Sequence, residues 1–170
     1  IENISIQDFH SGKDLKLKEL FDSNKYIIIN IWASWCVPCR QEHQYIKNIS
    51  QITNLKIIGL NYKDKKDNAE KFLEELGNPF DIILKDINGT KSIFLGAYGV
   101  PETFIIDKEL NILRKYIGPI NFENEIEIKQ LVKWLKNFLK YLVFYFFLSF
   151  IFSMNVNAEN SKVDEISKNL

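Results

Sequence analysis

Both cysteines of the 170-residue chain, Cys36 and Cys39, lie in one short segment, NIWASWCVPCRQEH (30–43). The segment follows an apolar run, so a helix is expected to begin near Cys36, at the end of a buried strand. The first turn of a helix has unpaired N–H groups and a partial positive charge, and both stabilise a thiolate. Cys36 could then attack a disulfide, and Cys39, one turn further on, could resolve the mixed disulfide that forms. The spacing therefore favours dithiol–disulfide exchange.

The residues around the pair leave two alternatives open. Pro38 fits the first turn of a helix because it donates no N–H group, and Trp35 is expected to shield one side of the pair. The pair could instead be half of a zinc site, with His43 on the same helical face as Cys39, or an inert pair in the core. A closed zinc site needs four ligands, and the sequence offers only His10 besides these, with no second CxxC.

Composition limits the classes of function. Lys plus Arg is 22 and Asp plus Glu is 22, so the formal net charge is zero. Nucleic-acid binding needs an excess of basic residues on one face, so no nucleic-acid partner is predicted. Two cysteines cannot form a disulfide framework, and no cofactor or metal ion is predicted. The chain begins at Ile1 rather than Met, so we expect it to be a fragment whose targeting or anchor segment lies outside it.

The order of the predicted elements defines the fold class. Apolar runs predict strands, and apolar positions at helical spacing predict helices. Strands are expected at 26–32, 55–60, 80–84, 103–107 and 112–118; helices at 39–52, 64–77 and 124–140; and a turn-rich connection at 86–99. This order, β-α-β-α-β followed by β-β-α, predicts an α/β fold with a central mixed β-sheet flanked by α-helices.

Four motifs together resemble a known family. WCVPC has the W-C-x-x-C form of the thioredoxin superfamily, and GVPETFIID (99–107) resembles the loop and strand that carry its cis-proline, here Pro101. With GLNYKDK and LGNPF in the same order, the chain resembles the thiol:disulfide interchange proteins of cytochrome c maturation, the CcmG/DsbE type. The resemblance runs from about residue 26 to about residue 135 and implies a thioredoxin-like fold with Pro101 facing the cysteines.

The resemblance also implies a function. Members of this family are periplasmic reductants that are anchored to the inner membrane. They help reduce the CxxCH haem-attachment site of apocytochrome c to its thiols. The implied partners are thiols of apocytochrome c or of a haem-lyase subunit, with a membrane electron donor of the DsbD or CcdA type. A general reductant of the TlpA or ResA kind is the nearest alternative, and a thioredoxin-fold binding module without turnover is another. The GVPET sequence together with Glu42 favours the reductant of apocytochrome c over the general reductant.

Residue roles are carried over from the family by position. Glu42 and Glu102 match its acidic active-site positions, where a carboxylate opposes formation of the thiolate and makes the pair more reducing. We therefore expect Glu42→Gln to lower the pKa of Cys36; the alternative is that both glutamates are ordinary surface residues. The substrate-binding positions implied by the resemblance are Trp35, Val37, Pro38, Tyr62 and Val100. For Tyr62, a purely structural role stays open.

The C-terminal segment does not fit this domain. Residues 141–154 are almost wholly apolar, but the run is too short for a comfortable membrane span. Lysines precede it, and small residues near Ala158 follow it. The pattern is typical of a signal peptide, so residues 139–170 are interpreted as the start of another secreted protein fused to a domain at 1–138. A C-terminal anchor is the second interpretation, although the preceding lysines would keep the domain cytoplasmic. An amphipathic helix is the third.

Overall fold

A computed structural model describes residues 4–21, 26–53, 55–107 and 109–135 of the chain. The described residues up to 129 belong to one compact unit, and the described residues 130–135, which are helical, are assigned to a second unit. Among the described residues, no helix is both long enough and apolar enough to span a bilayer. The predicted segment 139–170 lies outside the described residues.

Strands and helices alternate through the middle of the first unit. The strands are β1 (Ser5–Asp8), β2 (Asp14–Lys16), β3 (Tyr26–Trp32), β4 (Leu55–Tyr62), β5 (Ile82–Asp86), β6 (Glu102–Ile106) and β7 (Ile112–Ile117). The helices are α1 (Val37–Ser50), α2 (Lys66–Leu76), α3 (Thr90–Phe94) and a further helix whose described part is 122–135, with a short 3₁₀ helix at Leu17–Leu20.

The strands form one mixed sheet in the order β2-β1-β5-β4-β3-β6-β7. β3, β4 and β5 are parallel because the connections between them run through α1 and α2. β6 lies antiparallel to β3 on its other side and pairs with β7 in the predicted hairpin. The predicted class, a mixed sheet with helices in the connections, is confirmed.

The central strands are buried because their sequences are apolar on both faces. Ile27, Ile28, Ile29 and Ile31 of β3 are all at most 1% exposed. Strands of this kind belong in the interior of a sheet that is covered on both sides. The end of β3, from which the cysteine segment continues, is therefore fixed by the best-packed part of the molecule.

An aromatic cluster closes the core near this end of β3. The Trp32 ring lies 5.0 Å from the ring of Phe72 and 5.5 Å from that of Phe80. Phe80 also covers Gly59 of β4, where an added Cβ would lie 2.7 Å from the Phe80 ring. Glycine is thus needed at position 59 for the close approach of a ring, although its backbone is ordinary strand.

Two parts of the fold differ from the sequence prediction. β1 and β2 were not predicted, because they are short and mostly polar, and they are added at the β5 edge of the sheet. The segment 86–99 was predicted as a connection but contains α3. Its start is stabilised by the Asp86 carboxylate, which accepts from the N–H and hydroxyl of Ser92 at 2.8 and 2.7 Å. Five residues are too few to show helical periodicity in a sequence.

Candidate active site

The cysteine pair lies where the sequence predicts, between the end of β3 and the start of α1. Cys36 is the N-cap of α1, and its sulfur accepts a hydrogen bond from the backbone N–H of Cys39 at 3.1 Å. The two Sγ atoms are bonded to each other, with the Cα atoms 5.2 Å apart. Pro38 occupies the first turn, as predicted. The helix terminus that stabilises a thiolate therefore faces Cys36.

Pro101 is brought to the same end of the sheet by strand pairing. Ile31 of β3 is opposite Glu102 of β6 in the antiparallel ladder. Pro101, one residue before Glu102, therefore lies beside the point where β3 ends and the cysteine segment begins. The Val100–Pro101 peptide bond is cis, as the resemblance implies.

The side chain of Glu42 is buried on the inner face of α1. It is 1% exposed, so the interpretation of Glu42 as an ordinary surface residue is wrong. One carboxylate oxygen accepts from Asn30 Nδ2 at 2.8 Å, and the other accepts from the backbone N–H of Ile120 at 2.8 Å. Asn30 also donates to the hydroxyl of Thr103 at 3.0 Å. Glu42 thus joins α1 to β3, β6 and the loop before the last helix.

Burial makes Glu42 a weaker acid than an exposed glutamate. It raises the pKa of Glu42 from 4.5 to about 7, while the hydrogen bonds from Ile120 and Asn30 act in the lowering direction. Both hydrogen-bond donors are neutral amides, which offset only part of the desolvation of the anion. Glu42 follows Cys39 by three residues on the same helix, so the two side chains share one face. A carboxyl group with a pKa near neutral thus lies one turn from Cys39.

Glu102 is equally buried but has a different environment. It is 1% exposed, so the surface interpretation is wrong here too. Its Oε1 accepts from the backbone N–H groups of Tyr98 and Gly99 at 2.6 and 2.9 Å. Its Oε2 lies 2.9 Å from Lys115 Nζ, an ion-pair contact outside hydrogen-bond geometry. The two predicted acidic residues therefore differ in kind, because Glu102 contacts Lys115 whereas no cation among the described residues contacts Glu42.

The predicted substrate-binding residues surround the pair mainly as exposed side chains. Trp35 and Val37 are 56% and 66% exposed, and Pro38 is exposed as well. The Trp35 ring lies 6.5 Å from the ring of Tyr62, and its indole N–H donates to the carbonyl of Lys63 at 3.1 Å. The indole is therefore held in place while much of its surface stays open to solvent.

Val100, next to Pro101, is half-buried. Cys36 and Cys39 are 4% and 2% exposed, whereas Trp35, Val37 and Pro38 beside them in the chain are exposed.

Residues that the sequence analysis did not select support this arrangement. Asp64 accepts from the N–H and hydroxyl of Ser34 at 2.6 and 2.7 Å and from Asn61 Nδ2 at 3.0 Å. These bonds tie the segment before Cys36 to the end of β4. Asp64 lies within the GLNYKDK motif, and Asn30 is the polar residue in an otherwise apolar strand; both signals were present in the sequence.

The position of His43 bears on the zinc alternative. Its Nε2 lies 2.7 Å from the carbonyl oxygen of Gly77, at the end of α2, and its ring packs edge-on against Phe72 at 5.0 Å. No group of three or more His, Cys, Asp or Glu side chains with metal-binding geometry occurs in the described parts of the chain. The contacts of His43 are those of a residue that joins α1 to α2.

The chain is similar in sequence to known thiol:disulfide interchange proteins. The chain is 43% identical over 117 residues to the thiol:disulfide interchange protein DsbE of Pasteurella multocida, a match that covers 69% of this chain and 64% of the relative. It is 44% identical over 103 residues to DsbE of Haemophilus influenzae, covering 61% of this chain and 56% of that protein. The chain thus spans less than two thirds of the length of these relatives.

The fold has counterparts among solved structures, and one family model covers most of the chain. A crystal structure of a DsbE-type thiol:disulfide interchange protein from Chlorobium tepidum superposes with a TM-score of 0.64 at 23% identity, covering 77% of this chain and 92% of that one. This likeness confirms the thioredoxin-like fold. The model of the Redoxin family matches residues 3–132, which include every residue of the site. The chain therefore belongs to the Redoxin family.

Proposed function

We propose that the chain is a thiol:disulfide oxidoreductase in the periplasm that reduces the disulfide of the apocytochrome c CxxCH site to its two thiols. The exchange chemistry is supported by the cysteine pair at the start of α1 and by the thiol:disulfide interchange proteins that the chain is similar to. The observation that carries the proposal is Glu42, a buried carboxyl group with a pKa of about 7, one turn from Cys39.

The first step uses Cys36. In the reduced protein the Cys36 thiolate attacks one sulfur of the substrate disulfide, and the other substrate sulfur leaves as a thiolate. A mixed disulfide between Cys36 and the substrate results. The helix start stabilises the attacking thiolate. Pro101, the half-buried Val100 and the exposed side chains of Trp35, Val37 and Pro38 contact the substrate peptide.

The second step uses Cys39 and Glu42. The Cys39 thiol must lose its proton before it can attack Cys36 Sγ, and Cys39 is 2% exposed, so bulk water is a poor acceptor. Glu42 accepts this proton. The Cys39 thiolate then attacks, the Cys36–Cys39 disulfide forms and the substrate leaves as a second thiolate. The substrate has gained two electrons, and its thiolates take protons from solvent. A carboxyl group that titrates near neutral pH suits this role, because it can accept the proton and release it again.

The cellular setting is proposed from the resemblance. The redox domain, assigned to residues 1–138, would lie in the periplasm with a tether to the inner membrane. A membrane thiol carrier of the DsbD or CcdA type would reduce Cys36–Cys39 after each turnover. Segment 139–170 is proposed to be the beginning of a second secreted protein.

The test compares two substrates with one reduced enzyme preparation. An oxidised peptide that contains a CxxCH sequence should be reduced far faster than insulin, and the Cys36–Cys39 couple should have a clearly negative reduction potential against glutathione. Efficient reduction of insulin would favour the general reductant. A potential typical of a strong oxidant would reverse the proposed direction of electron flow.

A further inference from the structure

One lysine contacts the loop that leads to Pro101. We call residues 96–101 the Pro101 turn. Lys115 of β7 donates from Nζ to the carbonyl of Gly96 at 2.7 Å, at the beginning of this turn. The same Nζ lies 2.9 Å from the carboxylate of Glu102, directly after the turn. Lys115 therefore contacts both ends of the Pro101 turn.

Glu102 fixes the middle of the turn. Its Oε1 accepts from the consecutive backbone N–H groups of Tyr98 and Gly99. The Lys115 ammonium also lies 4.0 Å from the centroid of the Tyr98 ring, a cation–π contact with a residue that is otherwise 85% exposed. Backbone bonds also reach the turn at its two ends: the N–H groups of Gly96 and Ala97 donate to carbonyls of α3, and Gly118 donates to the Pro101 carbonyl. The middle of the turn is held by Glu102.

The buried carboxylate of Glu102 is paired with Lys115. The Glu102 side chain is 2% exposed and the Lys115 side chain 23%. A buried carboxylate is costly unless it is paired, and removing one partner of a buried pair leaves the other charge uncompensated. Without Lys115, Glu102 would have to leave its site or admit water, and its bonds to the N–H groups of Tyr98 and Gly99 in the middle of the turn would be weakened.

We propose that Lys115 is a positioning residue for substrate binding, which acts through Glu102 on the Pro101 turn and leaves the reactivity of Cys36 unchanged. The inference rests on the proposed contact between this turn and the substrate peptide. It assigns Glu102 a role different from that of Glu42. The charge of Glu102 is balanced locally by Lys115. Glu102 therefore shapes the turn and does not change the pKa of the Cys36 thiol.

The test separates peptide binding from thiol reactivity in the full chain. Steady-state KM and kcat are measured for an oxidised CxxCH peptide, and the reduced protein is also reacted with 5,5′-dithiobis(2-nitrobenzoic acid), which is too small to need the turn. Lys115→Met should raise KM for the peptide by about tenfold, with little change in kcat or in the rate with the small disulfide. Arg114→Met is the matched control. Arg114 lies on the same strand as Lys115, and the change removes its exposed ion pair with Glu127.

The double variant makes the test specific. Glu102→Gln keeps an amide oxygen for the N–H groups of Tyr98 and Gly99 but needs no cation, so Lys115→Met combined with Glu102→Gln should recover a KM close to that of the original protein. An unchanged KM in Lys115→Met, no recovery in the double variant, or equal losses with both substrates would overturn the inference.

One further measurement keeps the inference testable if Lys115→Met does not fold. In Glu102→Gln alone the pKa of Cys36 should equal that of the original protein, and a lowered value would overturn the inference because it would show that the Glu102 charge acts on the thiol. The proposed function fails in a different way, since the unmodified protein would then show no saturation with the CxxCH peptide.

Discussion

Glu42→Gln should change how the stability of the oxidised protein depends on pH. Burial raises the pKa of Glu42 from 4.5 to about 7 in the folded state, so the folded protein holds this proton to a higher pH than the unfolded chain does. Stability from this group is therefore complete below about pH 4.5 and declines as the pH rises to about 7. One pKa unit corresponds to about 1.4 kcal/mol, so the decline amounts to about 3 kcal/mol.

The variant removes this decline but introduces a separate constant cost. Glutamine has one acceptor oxygen, whereas Glu42 accepts from both Asn30 and Ile120. One of these donors would face the amide nitrogen, at a cost of about 1–3 kcal/mol that does not vary with pH. The informative quantity is therefore the difference between the two proteins as a function of pH, rather than the stability of either at one pH.

Urea unfolding of both oxidised proteins from pH 4 to pH 8.5 measures this difference. We expect the variant to gain about 3 kcal/mol relative to the original protein between the two ends of the range. His43, whose pKa is lowered by burial, contributes to both curves and cancels in the difference. Two curves that stay parallel over the whole range would refute the assignment of a raised pKa to Glu42, and with it the proton-transfer role.

Three other changes test separate parts of the structure. Glu42→Gln should lower the pKa of the reduced Cys36 thiol, measured by thiolate absorbance, because it removes a nearby negative charge; an unchanged or higher pKa would contradict this. Gly59→Ala should destabilise the fold by about 1–3 kcal/mol, seen as a lower Tm, because the new Cβ would lie 2.7 Å from the Phe80 ring, whereas an equally stable variant would mean that the ring can move. Deletion of 139–170 should leave peptide reduction intact, since every residue of the site precedes this segment; loss of folding would show that the segment belongs to the domain.

The parts of the site that the sequence predicts are those encoded by local patterns. Cys36 caps a helix because a buried apolar strand ends four residues earlier and Pro38 starts the turn, and all of this can be found within one segment of 14 residues. Pro101 could be placed because it lies in a motif with a familiar sequence. The pairing of β3 with β6 then brings these two segments together.

The parts that could not be predicted depend on contacts between distant segments. Glu42 receives its hydrogen bonds from positions 12 and 78 residues away, so its burial and raised pKa are properties of the folded molecule. At a helix start an acidic residue is commonly exposed, which is why a surface role for Glu42 stayed open. The contacts of Lys115 could not be predicted either, because nothing near it in the sequence connects it to Pro101.

The two buried glutamates differ in the groups that face their carboxylates. Lys115 places a charge of opposite sign against Glu102, whose other oxygen accepts from two N–H groups of the Pro101 turn. The oxygens of Glu42 contact only neutral donors, so desolvation dominates and its proton affinity rises to the range in which thiols exchange protons. The cation therefore marks the difference between a carboxylate that holds a loop and one that can carry a proton.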